Sequence, residues 1–309
     1  MNTKRLALVL AVILASALAG CNDSPPAQSA SPVAAPTDGL EPGSHSFTTA
    51  DGEQMPYDVN GGGDITVVFV HCWMCNRTFW SEQVPVVSRQ YRTVTVDLPG
   101  HGEATSGRDV WRVGDYGRDV AALIESLDLS DVVLVGHSMG GPVALRAASL
   151  AGDRVLGIVA VDTLHNADFE FSGEQMDNFM AAFEADFTGT CANFVQAMFR
   201  DDDPAQVENT VREASCRDER AAAGTALMRD FGTIDMPQWF RQAGVPIRAI
   251  NAATPNPTRT EANRKYADFD VVLMDDVGHY LQMTHPDEFN PLLMAAISDL
   301  VEPATGGTD

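Results

Sequence analysis

The stretch Val132-Val133-Leu134-Val135-Gly136-His137-Ser138-Met139-Gly140-Gly141-Pro142 decides the fold. Its first four residues form a continuous apolar run, as expected of a strand buried on both faces. The Ala-rich segment from Pro142 to Ala148 reads as a helix. Between them Ser138 occupies a sharp strand-to-helix turn that holds its hydroxyl exposed, and the flanking glycines let the strained turn form and the two elements pack closely. Gly-x-Ser-x-Gly alone is a weak pattern, so the strand before it and the helix after it carry the inference.

Working outward from this turn, further strands appear on both sides. Ser46 to Thr49 and Gln54 to Val59, around a turn at Asp51-Gly52, read as an opening hairpin. Asp64 to Val70, Arg92 to Asp97, Val155 to Val161, Ile247 to Ile250 and Asp270 to Met274 read as strands. Helices are expected over Thr78 to Gln90, limited by Pro85, over Gly114 to Leu127, and near Glu261 to Ala267. Such alternation predicts the α/β class: a mostly parallel, doubly wound sheet covered on both faces. The segment His165 to Gly244 interrupts it with helical patterns alone, at Glu174 to Glu184, Cys191 to Phe199, Gln206 to Ala214 and Glu219 to Phe231. A helical cap over about 165–244 is the expected result.

A nucleophilic serine needs a base, an orienting acid and donors for the oxyanion. Of seven histidines, His279 is favoured as base because Asp276-Val277-Gly278-His279 directly follows the last strand, where a parallel sheet places functional groups. His285 precedes a proline and reads as a helix-start residue. His137 and His101 read as residues that line or brace a pocket.

At this point the chain resembles the α/β-hydrolase family over nearly all of Ser46 to Leu300. The resemblance rests on His71-Cys72-Trp73 after an apolar strand, Asp97-Leu98-Pro99-Gly100-His101-Gly102, Gly136-His137-Ser138-Met139-Gly140 and Gly278-His279. It implies Ser138 as nucleophile, His279 as base, and the backbone N–H groups of Trp73 and Met139 as the oxyanion hole, each donor being worth about 2.7 to 4 kcal/mol in the transition state. Two departures stand out. Cys72 replaces the glycine the family usually has after the histidine, and no carboxylate follows the strand before the last, where Ile250-Asn251-Ala252-Ala253-Thr254-Pro255-Asn256-Pro257 stands. Some members take the acid from the preceding strand, which assigns the role to Asp162, with Glu261, Asp275 and Asp276 as outside candidates.

The chain has 309 residues and a formal charge of −23, which argues against a nucleic-acid partner. Its N-terminus, with Lys4-Arg5, an apolar segment from Leu6 to Leu18 and Leu18-Ala19-Gly20-Cys21, resembles a bacterial lipoprotein signal peptide. Residues 1–20 would be the signal, Cys21 the lipidated residue, 21–43 a Pro/Ala/Ser-rich tether, and 44–309 the folded domain. That places the protein in the bacterial cell envelope, on the membrane through its lipid anchor. Pairing by neighbourhood joins Cys72 with Cys75 and Cys191 with Cys216, the second bridge being worth roughly 3 to 4 kcal/mol. Zinc at Cys72-x-x-Cys75 lacks a second closely spaced cysteine pair to complete a site.

The expected activity is carboxylesterase-like: hydrolysis of a small ester or lactone through an acyl-enzyme on Ser138, with a small-molecule acyl substrate and, through the lipid anchor, the membrane as partners, and with neither cofactor nor metal. Cofactor-free perhydrolysis on the same residues is an alternative. A non-catalytic binding lipoprotein is the other, with the two departures as its support.

Overall fold

Eight strands form one sheet: β1 (Gly43–Thr48), β2 (Gln54–Asn60), β3 (Thr66–Val70), β4 (Arg92–Val96), β5 (Val132–His137), β6 (Val155–Val161), β7 (Ile247–Ala252) and β8 (Phe269–Met274). The computed structural model describes residues 40–105, 107–169 and 173–302, apart from the side chain of Gln175. The expected signal peptide, Cys21 and the tether up to residue 39 lie outside the described residues. The spatial order is β1-β2-β4-β3-β5-β6-β7-β8. All neighbours from β4 to β8 pair in parallel, and only β1 and β2 run antiparallel to their neighbours. The chain is thus a mostly parallel α/β protein.

The helices are α1 (Val84–Val87), α2 (Val113–Ser126), α3 (Gly140–Ala151), α4 (Gly173–Ala185), α5 (Phe187–Gln196), α6 (Ala205–Ser215), α7 (Ala221–Phe231), α8 (Met236–Ala243), α9 (Thr260–Asn263), α10 (Leu281–Thr284) and α11 (Pro286–Val301). Side chains alternate across a strand, so each central strand feeds two apolar layers. Val67, Phe69, Val133, Val135, Val159 and Val161 join Trp80, Val87 and the α11 residues Phe289, Leu293 and Ile297 in one. Val68, Val70, Leu134 and Ala160 join Val120 and Leu123 of α2 and Val143 and Leu145 of α3 in the other. This double burial is why the central strands read as unbroken apolar runs.

Two expected helices differ from the structure, and the expected cap differs in one of its helices. Thr78 to Gln90 divides into a 3₁₀ turn at Arg77–Trp80 and the single turn of α1, because Pro85 is tolerated only where a helix begins. The helix near Glu261 to Ala267 shortens to α9. The expected cap, about 165–244, contains α8, but α8 packs on α3 and its Phe240 meets Phe269 of β8 at 6.2 Å. It is therefore a layer helix beside the sheet, and among the described residues α4 to α7 are the other helices inserted between β6 and β7.

Register brings the functional ends level. Val70 is opposite Gly136, His137 is opposite Val161, and Val161 is opposite Ile250. The residues that follow β3, β5 and β6 consequently meet at one edge of the sheet.

Candidate active site

Ser138 takes φ +53° between β5 and α3, a left-handed conformation that costs about 1–3 kcal/mol for a residue with a side chain. Its N–H donates to the Val161 carbonyl at 3.0 Å. Its own carbonyl accepts from Gly141 N–H at 3.0 Å and from Thr163 Oγ1 at 2.8 Å. Side chains are excluded on both sides: a Cβ on Gly136 would overlap the Gly140 carbonyl, and one on Gly140 would overlap the carbonyl of Val70. The elbow glycines therefore permit strand-to-helix contact at a turn that hydrogen bonds hold in place.

Asp162 follows β6 with φ +40°. Its N–H continues the ladder to Ile250 O at 2.9 Å, but its side chain then takes over: Oδ1 accepts the Ala252 N–H, also at 2.9 Å. Oδ2 meets His279 Nδ1 at 2.5 Å. Burial opposes a charge here, yet the His279 hydrogen bond, the adjacent imidazoles and the Ala252 N–H outweigh it and hold the carboxyl below its ordinary pKa. A charged carboxylate on Nδ1 fixes the imidazole tautomer, leaving Nε2 available to exchange a proton.

The loop after Asp162 is locked from two sides. Asn251, fully buried on β7, accepts from Thr163 N–H at 3.1 Å and donates to Thr163 O at 3.0 Å. Asn263, fully buried in α9, accepts from Ala167 N–H and donates to Leu164 O, both at 2.7 Å. Two residues in this loop, Asp162 and Leu164, have positive φ, at about 1–3 kcal/mol each. Four amide hydrogen bonds at about 0.5–1.5 kcal/mol each offset that strain.

His279 is braced through its backbone. Its carbonyl accepts from His137 Nε2 at 2.9 Å, and Gln282 Nε2 donates to His137 Nδ1 at 3.2 Å. Burial, then the neighbouring His279, lowers the His137 pKa to about 3, so His137 is a neutral brace. His71 is also neutral, lowered to about 4 by burial; its Nε2 accepts the Leu98 N–H at 3.0 Å and its Nδ1 donates to Cys72 O at 2.8 Å. His101 is buried, its pKa lowered to about 3 chiefly by burial, and Nδ1 donates to Pro99 O. His285 is the N-cap residue of α11.

Trp73 and Met139 lie in the turns that follow β3 and β5, and among the described residues neither backbone N–H has an intramolecular acceptor. Cys72 is bridged to Cys75, and Cys191 to Cys216. The first bridge encloses Trp73, whose indole N–H donates to Gly224 O of α7 at 2.9 Å. Ser138, His279, Cys72 and Trp73 line one cavity of about 330 Å³ with Met176, Phe179, Phe194, Val195, Met198, Met228, Phe231 and Tyr280. Apart from Ser138, His279 and the phenol of Tyr280 its lining is largely apolar, and among the described residues it holds no Asp, Glu, Lys or Arg.

The structure thus brings Asp162 to His279, and Ser138 with His279 to one cavity. The outside acid candidates lie elsewhere: Glu261 pairs with Arg264, Asp276 with Arg200, and Asp275 is exposed. Sequence reasoning did not identify Asn251, Asn263 or Gln282, and among the seven histidines it gave no role to His165, whose Nε2 stands 3.7 Å from Asp162 Oδ1. The one available signal was that Asn251 and Asn263 are polar residues within otherwise regular elements.

A family model described as the alpha/beta hydrolase fold matches residues 65–286. The chain is 26% identical over 250 residues to the dihydrolipoyllysine-residue acetyltransferase component of the acetoin cleaving system of Pseudomonas putida, covering 77% of this chain. It spans only 65% of that relative's length. It is 28% identical over 277 residues to the non-heme chloroperoxidase of Streptomyces lividans, covering 81% of this chain and 98% of the relative. An esterase from Thermogutta terrifontis superposes with a TM-score of 0.72 at 20% identity, over 84% of this chain and 99% of its own.

Proposed function

The chain belongs to the α/β-hydrolase family, and on that premise we propose that it is a serine hydrolase of small, uncharged carboxylic esters or lactones. The observation that carries this reading is the 2.5 Å contact between Asp162 Oδ2 and His279 Nδ1 beside a cavity that Ser138 and His279 share. Ser138 Oγ attacks the ester carbonyl as His279 Nε2 takes its proton, and Asp162 stabilises the imidazolium. The N–H groups of Trp73 and Met139 donate to the oxyanion, with no competing acceptor among the described residues. Collapse of the tetrahedral intermediate breaks the bond to the alcohol oxygen, which receives the proton from His279. Water then attacks the acyl-enzyme by the same route and restores Ser138. The apolar lining favours neutral acyl groups, since a charged group would be desolvated without a partner.

Turnover of p-nitrophenyl acetate and butyrate by the wild type and its loss in Ser138→Ala test this reading. Equal turnover in both, or none in either across a panel of neutral esters and lactones, rejects it. The likeness to a chloroperoxidase supports one second reading, in which hydrogen peroxide replaces water in the final step and the acyl group leaves as a peracid. Peracid formation from acetate ester and hydrogen peroxide distinguishes the two. In the same proposal Cys21 carries the lipid that holds the enzyme on the bacterial envelope, and Cys21→Ser should abolish incorporation of labelled fatty acid.

A further inference from the structure

The loop that carries His279 is seated against the cap as well as the sheet. His279 N–H donates to the carbonyl of Met198, in the loop between α5 and α6, at 2.9 Å. The preceding residue must be glycine for this approach: a Cβ on Gly278 would stand 2.7 Å from Met198 O and 2.8 Å from Asp203 Oδ2. The following residue, Tyr280, stacks on Phe199 with ring centroids 4.9 Å apart and an interplanar angle of 11°. Three consecutive residues around His279 therefore each meet the same cap loop.

Asp203 organises that loop. Its side chain is 2% exposed, and Oδ2 accepts the Arg200 N–H at 2.8 Å, closing the turn from Arg200 to Asp203. Oδ1 has no hydrogen-bond partner among the described residues and faces His285 Nδ1 at 3.9 Å, on the far side of the same histidine loop. The bridge between Cys191 and Cys216 joins α5 to α6, the two helices from which the loop projects.

We infer that Asp203 and the Met198–Asp203 loop are positioning elements for His279, so that seating of the cap and alignment of the base are one event. This rests on the reading of His279 as the base. A cap that only walled the substrate cavity would change substrate affinity; a cap that holds the base changes the chemical step even for an ester too small to fill the cavity. Misplacing a catalytic group by about 1 Å costs on the order of 10²-fold, which sets the scale.

The test uses the full chain with p-nitrophenyl acetate, together with the rate at which a fluorophosphonate labels Ser138. Asp203→Ala and Phe199→Leu should each lower kcat and the labelling rate by about 10- to 100-fold with KM little changed. Asp203→Asn, which keeps an oxygen to accept the Arg200 N–H, should recover most of the loss. Should Asp203→Ala fail to fold, Phe199→Leu and Asp203→Asn decide the matter. Wild-type kcat and labelling in Phe199→Leu, or a rise in KM alone, would overturn the positioning role while leaving the serine reading intact. A wild type that neither turns over nor labels would reject the serine reading and this role with it.

Discussion

The ends of β6 and β7 lie side by side in parallel register, yet they finish in opposite chemistry. β6 is followed by Asp162, a buried carboxylate at φ +40°, and β7 ends in Asn251-Ala252, a buried neutral amide followed by a backbone donor. The resemblance to α/β-hydrolases places the acid after the second of these strands, and here the segment after it carries no carboxylate from Ala252 to Pro257. The contrast shows that charge and support are separable. β6 supplies the anion, while β7 supplies the Ala252 N–H that accompanies it and the amide that holds the next residue in place.

If the ends are divided in this way, substitutions should separate activity from stability. Asp162→Asn removes the charge from His279 and should lower kcat by about 10⁴-fold with the fold retained; steady-state kinetics beside a thermal melt checks it. A rate within tenfold of wild type would move the acid elsewhere. The cap runs between these two strand ends, and Cys191→Ser with Cys216→Ser should destabilise the protein by roughly 3–4 kcal/mol, read by denaturant unfolding, if the bridge acts through chain entropy. Asn251→Ala should cost about 1–3 kcal/mol for each buried group left unpaired, with a far smaller loss of kcat than Asp162→Asn. A loss of activity equal to that of Asp162→Asn would abolish the distinction between the ends.

Acid sharpens the same contrast. His71 and His137, after β3 and at the end of β5, are buried and neutral with pKa values lowered to about 4 and 3, and His101 is lowered to about 3. A histidine with a depressed folded pKa binds fewer protons folded than unfolded, so its stability contribution is full above the unfolded value near 6.5 and declines as pH falls toward the folded one. Thermal stability should therefore drop between about pH 6.5 and 4, and the slope should persist in Asp162→Asn. Asp162 has the opposite sign of charge and a depressed carboxyl pKa, so its contribution is present above the ordinary aspartate range and is lost only at lower pH. A melting temperature flat from pH 7 to 4 would contradict the neutral assignment of the three histidines.

Local pattern made much of this site legible. β3, β5 and β6 are buried on both faces, and their largely apolar, Val-rich runs located the three strand ends where His71, Ser138 and Asp162 stand. Glycine spacing marked the elbow because backbone contact excludes every larger residue there. Less legible were features set by long-range packing. Helix α8 is amphipathic like a cap helix, and its contacts with α3 and with Phe269 of β8 show that it belongs to the sheet layer. Asn251 and Asn263 act on a loop about 90 residues upstream, a relation that no local window contains. Met198 and Asp203 are likewise remote in sequence from the His279 loop on which they rest.

The most direct test of the serine mechanism is to trap the intermediate. Acid quench of the enzyme during p-nitrophenyl acetate turnover, followed by peptide mass spectrometry, should find an acetyl group on the peptide containing Ser138 and nowhere else. Sustained turnover with no acetyl group on Ser138, or with acetylation at another residue that survives Ser138→Ala, would contradict it.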